Sequence, residues 1–142
     1  MESIFENLYV NRDLQGVLFS SVCSKYSLTR TELLILLVLR EDALNTAKDI
    51  VDKLKLAKSH VSTSVRDLEE RGYIKSRYEG DDHRTIHLQL CESAAEIVEA
   101  GREAQNEFIS IICDGFSSEE RRKLKNYIER MTANANEYLK NK

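Results

Sequence analysis

Proline is absent from the 142 residues, and glycine appears only five times, at Gly16, Gly72, Gly80, Gly101 and Gly115. Proline fixes φ and removes an amide donor, and glycine opens positive φ, so their scarcity leaves few places where a helix must stop. A mostly helical chain is expected. Long apolar runs are missing too: the longest is Leu33 to Leu39, far short of the roughly 20 residues a membrane helix needs. The start, Met1-Glu2-Ser3-Ile4-Phe5-Glu6, carries no basic n-region, apolar h-region or small-residue cleavage site. These absences predict no membrane span, no secretion and a cytoplasmic location. The three cysteines, Cys23, Cys91 and Cys113, are odd in number, widely spaced and without a CxxC pair, which suits reduced thiols rather than a disulfide framework. No glycine-rich phosphate loop, nucleophile elbow or HExxH helix is present, so neither an enzyme nor a cofactor is expected.

What remains is a 42% hydrophobic chain, enough for one domain spanning 1–142 with a real core and outside the range of disordered or fibrous sequences. The net charge is −3 and the pI near 5.7, but a polyanion responds to the local field and not to the mean. Lys53, Lys55, Lys58 and Arg66 fall in a run free of carboxylates from Lys53 to Arg66, while Glu92, Glu96, Glu99 and Glu103 gather elsewhere. One basic face on an acidic protein is expected.

Apolar residues at Ile4, Phe5, Leu8, Tyr9, Val17, Leu18 and Val22 predict a first helix over about 3–24, weakened and open to bending at Asn11, Asp13 and Gly16. Thr29-Arg30-Thr31-Glu32 is a capping box opening a helix apolar all round, hence central to the core. Thr46-Ala47-Lys48-Asp49 opens a short amphipathic helix in the same way. After a tight turn, Val61, Val65 and Leu68 share one face of a helix over about 58–71, with Ser59, Ser62, Thr63 and Arg66 opposite, and Gly72 supplies its left-handed stop. The period then changes to two. Tyr73 to Tyr78 and Arg84 to Leu90 read as strands around a turn at Glu79-Gly80-Asp81-Asp82-His83, with Ile86, Leu88 and Leu90 alternating inward. A heptad-like stripe from Ala94 through Gly101 to Ile112, and a helix capped by Ser117-Ser118-Glu119-Glu120, close the chain. Helices at both ends carry more apolar surface than so small a domain covers, which predicts a homodimer.

Short helix, tight turn, second helix with a small polar face, then a hairpin, is the order of a winged helix-turn-helix. Its second helix reaches the major groove. Ser59, Ser62 and Thr63 are short enough for close approach and can donate to phosphates or base edges; Lys58 and Arg66 reach phosphate or guanine, and His60 flanks them. The other reading of these residues is a solvated helix face, and of Lys53, Lys55 and Lys58 ordinary solubility. The helix before and the hairpin after favour DNA.

Over 28–90 the chain resembles the MarR family. Leu28-Thr29-Arg30-Thr31-Glu32 is similar to the family's second helix, and Ser59-His60-Val61-Ser62-Thr63-Ser64-Val65 with Leu68-Glu69-Glu70-Arg71-Gly72-Tyr73-Ile74 to its recognition helix and wing entry. The resemblance implies a winged-helix core at about 28–91, dimerisation helices at about 1–27 and 92–142, and a repressor on a pseudo-palindromic double-stranded site. It also implies a small aromatic effector between the DNA-binding and dimer helices, for which Tyr9, Tyr26, Phe19 and Phe108 are candidate lining. At the wing tip Asp82 and Arg84 match the family's aspartate and last arginine, Asp82 supporting the wing and Arg84 reaching the minor groove. Glu79, Gly80, Asp81 and His83 replace a tip normally richer in arginine, and Cys91 and Ala95 stand where a Thr and a Gly usually open the next helix.

Two rivals stay open. The net acidity and depleted wing suit a protein-interaction module without specific DNA binding. Cys23, near the end of the first helix, suits a redox-sensing regulator if its thiol is activated, and an inert thiol if buried. The series His83, His87, Cys91 suggests metal ligands, but four residues along a strand span about 13 Å, too far for one ion.

Overall fold

The computed structural model describes residues 2–41 and 43–142. Its elements run α1 (Glu2–Tyr26), α2 (Arg30–Leu39), α3 (Ala47–Leu54), α4 (Lys58–Glu70), β1 (Ile74–Glu79), β2 (Asp82–Leu90), a short 3-10 turn (Glu92–Ala94), α5 (Ala95–Ile112) and α6 (Ser118–Lys140). The fold is thus mainly α with one antiparallel hairpin, as the sequence patterns predict. The chain divides into two compact units, Met1–Phe108 and Ile109–Lys142. Among the described residues, no helix is long and apolar enough to cross a membrane.

In the first unit α2 is the core helix. Leu33, Ile35 and Leu36 are wholly buried, each contributing about 1.5–3 kcal/mol of hydrophobic burial. Its start is the expected capping box: the Glu32 amide donates to Thr29 Oγ1 at 3.1 Å and the Thr29 amide to Glu32 Oε1 at 2.8 Å. α3 begins the same way, with the amides of Thr46 and Asn45 donating to Asp49 Oδ2 and that of Asp49 to Thr46 Oγ1, all at 3.1 Å. The Thr46 amide is the main cause holding the Asp49 carboxyl below its usual range, aided by the Thr46 hydroxyl and the Asn45 amide.

α1 runs unbroken through Asn11, Asp13 and Gly16, the positions that weaken its middle. Phe19 and Val22 anchor it to the core, and tertiary packing outweighs three weak helix formers. The same holds more strongly in α4. Ser59, His60, Val61, Ser62, Thr63, Ser64 and Val65 are all mediocre helix formers, yet Val61 and Leu68 are wholly buried, with Ser64 beside them on the inner face.

The hairpin is tighter than its sequence suggests. The turn expected at Glu79–His83 shrinks to Gly80 and Asp81, because Glu79 already pairs with Asp82 and Gly80 takes a φ of 55°. The register slips between Arg77 and Glu79. Of the alternating residues, Leu88 is buried and Leu90 half-buried, but Ile86 is exposed, since the hairpin runs out past the core. Its base is held by Asn45, whose carbonyl accepts from the Leu88 amide at 2.7 Å and whose Oδ1 lies 2.8 Å from His87 Nδ1.

α5 lies close against α2 at Gly101. A Cβ there would meet Leu37 Cδ2 at 2.9 Å and Leu33 Cδ1 at 3.2 Å. Gly101→Val should therefore lower stability by about 1–3 kcal/mol, the overpacking outweighing the few tenths gained in helix propensity. A urea melt with an unchanged midpoint would contradict this packing.

In the second unit Ser117 and Glu120 form the expected capping box of α6. None of the 23 residues of α6 is buried. Tyr127, Ile128, Met131, Tyr138 and Leu139 are all exposed.

Candidate nucleic-acid interface

α3 and α4 are joined by Lys55, Leu56 and Ala57. The turn is tight because Lys55 closes α3 in the left-handed region, at φ 56° and ψ 41°, and its amide donates to Val51 O at 2.9 Å. That conformation is costly for a residue with a Cβ, and the chain adopts it without glycine.

Lys53 on α3, Lys55 in the turn, and Lys58, Ser59, His60, Ser62, Thr63 and Arg66 on α4 are all exposed. Among the described residues none of Lys53, Lys55, Lys58 or Arg66 has an ion-pair partner, whereas Lys48 spends its charge on Asp52 at 3.2 Å. Thr63 makes one bond within α4. Its hydroxyl donates to Ser59 O of its own helix at 3.0 Å, so it presents acceptor lone pairs and a methyl group rather than a free donor.

The electrostatics of α4 run against those of the capped helices. α2, α3 and α6 begin with capping boxes that place a carboxylate over the helix start. α4 begins at Ala57, which makes no side-chain cap, and its first turn holds no acid but Lys58 and His60. Its acids, Asp67, Glu69 and Glu70, lie at the far end, where the dipole is negative. This arrangement costs helix stability and leaves uncapped amides beside cations, a combination that attracts anions. The missing cap is legible in the sequence as a helix start without Ser, Thr, Asp or Asn before Lys58.

On the hairpin, Arg84 is almost fully exposed. Asp82 Oδ1 accepts from its backbone amide at 3.0 Å and lies 3.5 Å from its Nε. Arg77 pairs with Glu79 at 3.4 Å, and the His83 ring rests against Tyr78 with centroids 4.6 Å apart. Two wing carboxylates, Glu79 and Asp82, are thus turned onto the wing's own arginines; Glu69, near the end of α4, accepts from Ser76.

A cavity of about 430 Å³ opens between α1 and α5, lined by Val17, Leu18, Tyr26 and Ala104 with Lys25 and Glu103. Of the four aromatic residues expected in such a cavity only Tyr26 lines it. Phe19 is 3% exposed in the core, and Tyr9 faces solvent at 56%. Cys23 borders the core, and burial pushes its thiol up from the ordinary value, opposed in part by Arg30. A sensing thiol needs the opposite shift. Among the described residues no three His, Cys, Asp or Glu side chains are placed to hold a metal ion.

The family model described as transcriptional regulator SarA/Rot matches residues 17–100. An uncharacterised HTH-type transcriptional regulator of Bacillus subtilis, YdgJ, is 27% identical over 135 residues, 95% of this chain and 80% of its own. Among solved structures, a MarR protein from Peptoclostridium difficile superposes with a TM-score of 0.82 at 22% identity, covering 100% of this chain and 93% of its own. A putative MarR family regulator from Listeria monocytogenes, solved with a 26mer DNA, gives 0.83 at 17% identity over 96% and 91%. Structural likeness at these identities carries the fold, and the family match over most of the chain carries membership. The chain belongs to the SarA/Rot family of transcriptional regulators, on the winged-helix fold of MarR proteins, and is not an enzyme.

Proposed function

We propose that the protein is a cytoplasmic homodimeric repressor that binds a pseudo-palindromic double-stranded site with one α4 in each of two successive major grooves, about 34 Å apart. The observation that supports this most is the start of α4, uncapped, free of acid and flanked by unpaired cations, against the charge order of the other helices. Arg66, Ser59, Ser62, Thr63 and His60 meet base edges. Lys53, Lys55 and Lys58 hold phosphates, and Arg84, steadied by Asp82, enters the minor groove. The DNA-bound state of the Listeria neighbour supports the partner. The dimer is supported by α6, a 23-residue helix with nothing buried, and by the exposed Phe5, Leu8 and Val17 of α1; a second copy covers such surfaces. The cavity between α1 and α5 is where a small aromatic effector would bind.

The test is binding to the protein's own promoter region and to an unrelated duplex, measured by fluorescence anisotropy across a salt series. Three lysines in each of two protomers, each neutralising one phosphate, give an expected slope of log affinity on log salt of about −5, with promoter preference of at least about 10³-fold. Binding that is weak and equal on both duplexes would replace this reading with the protein-interaction module.

A further inference from the structure

Arg71 is the C-cap residue of α4, and its side chain turns back toward α1. Nη1 donates to Ser27 O and Nη2 to Tyr26 O, each at 2.7 Å, and the guanidinium lies over the Tyr73 ring at 5.1 Å from its centroid. The two carbonyls sit where α1 ends. Ser27 is left-handed at φ 54°, and the Leu28 amide donates back to Cys23 O at 2.9 Å. This closure leaves the Tyr26 and Ser27 carbonyls outside the helix and needing donors.

The same corner is tied on its other side. Ser93 Oγ donates to Gly72 O at 2.6 Å and the Cys91 amide to Tyr73 O at 2.9 Å. Three consecutive residues after α4, Arg71 to Tyr73, thus join α4 to the end of α1 and to the turn that starts α5. A planar fork on two adjacent carbonyls holds angle as well as distance, which a lysine ammonium cannot do.

We propose that Arg71 is a positioning residue that sets the angle of α4 on α1, and so the spacing of the two α4 helices on DNA, without touching DNA itself. This rests on the DNA-binding reading above. The rival is that Arg71 is one more phosphate contact. Arg71→Lys and Arg71→Ala should each lose about five- to tenfold of the promoter preference, a modest coupling between two elements. Affinity for the unrelated duplex and the salt slope should match the wild type. A phosphate contact gives the opposite pattern: Arg71→Lys is nearly normal, while Arg71→Ala weakens both duplexes equally and flattens the slope by about one per protomer. That result overturns the proposal, as does full promoter preference in both variants. Should Arg71→Ala unfold, Arg71→Lys alone decides.

Hydrogen exchange separates failure of the clamp from failure of the DNA reading. The amides of Leu28, Gly72 and Tyr73 are bonded on the two sides of the joint. Their protection should fall in Arg71→Lys whatever the protein binds. Unchanged protection overturns the clamp, and a wild type without promoter preference overturns only the DNA reading.

Discussion

Arg66→Ala should cost the dimer about 2–6 kcal/mol of promoter affinity, from one lost base contact of about 1–3 kcal/mol in each half-site. At the low end that is roughly a 30-fold weakening, since each 1.4 kcal/mol is tenfold. The loss should be confined to the promoter. Arg66 is exposed, on the opposite face of α4 from Val61 and Leu68, and unpaired among the described residues. Removal should therefore leave thermal stability within about 0.5 kcal/mol. Anisotropy titrations on promoter and unrelated duplexes, beside a melt of the free protein, measure all three quantities. Equal weakening on both duplexes would make Arg66 a phosphate contact and move the reading of bases to Ser59, Ser62 and Thr63.

The second large effect separates stability from function. Ala57 already has the backbone of an N-cap, at φ −64° and ψ 141°, close to those of Thr29 and Ser117. Ala57→Asp should give α4 a side-chain cap such as α2, α3 and α6 have and raise unfolding free energy by about 0.5–2 kcal/mol. It should also weaken DNA binding by about 10- to 100-fold. The new carboxylate occupies the amides of Ser59 or His60 and repels the phosphate they would receive, at a charge-assisted bond of about 1.5–3 kcal/mol. Ala57→Ser tests the two causes separately, since it caps without charge and should keep most of the affinity. A stabilised Ala57→Asp that binds DNA normally would show that the start of α4 does not face the duplex.

Stability is ordinarily gained at a helix start by an acid and a capping hydroxyl, and this chain does so at α2, α3 and α6. It does the reverse at α4. Such a departure from the local rule marks a functional site when something else holds the helix in place. Here Val61 and Leu68, both wholly buried, supply that hold.

Much of this was legible in the residue pattern. Capping boxes announce themselves because the residues that satisfy a helix start lie three apart in sequence, as Thr29 and Glu32, Thr46 and Asp49, and Ser117 and Glu120 do. The core helix is legible from Leu33 to Leu39, and the exposed face of α4 from the spacing of Val61, Val65 and Leu68, because helical period is a local property. The hairpin's existence was legible as well, although its turn length was not. Whether Glu79 pairs with Asp82 depends on Gly80 adopting a positive φ, which the residue permits without compelling.

Tertiary structure decided what no short window contains. The hold on the C-terminal half of α1 comes from Phe19 and Val22 packing into the core, and the need for Gly101 from the approach of Leu37 and Leu33. Arg71 meets Tyr26 and Ser27 across 45 and 44 residues of chain. The sequence alone therefore determined which segments are helices, where they begin and which face of α4 is free, since those depend on neighbours three or four residues apart. Where α4 points was left to the tertiary structure, because its angle is set by carbonyls and side chains that only folding brings within hydrogen-bond reach.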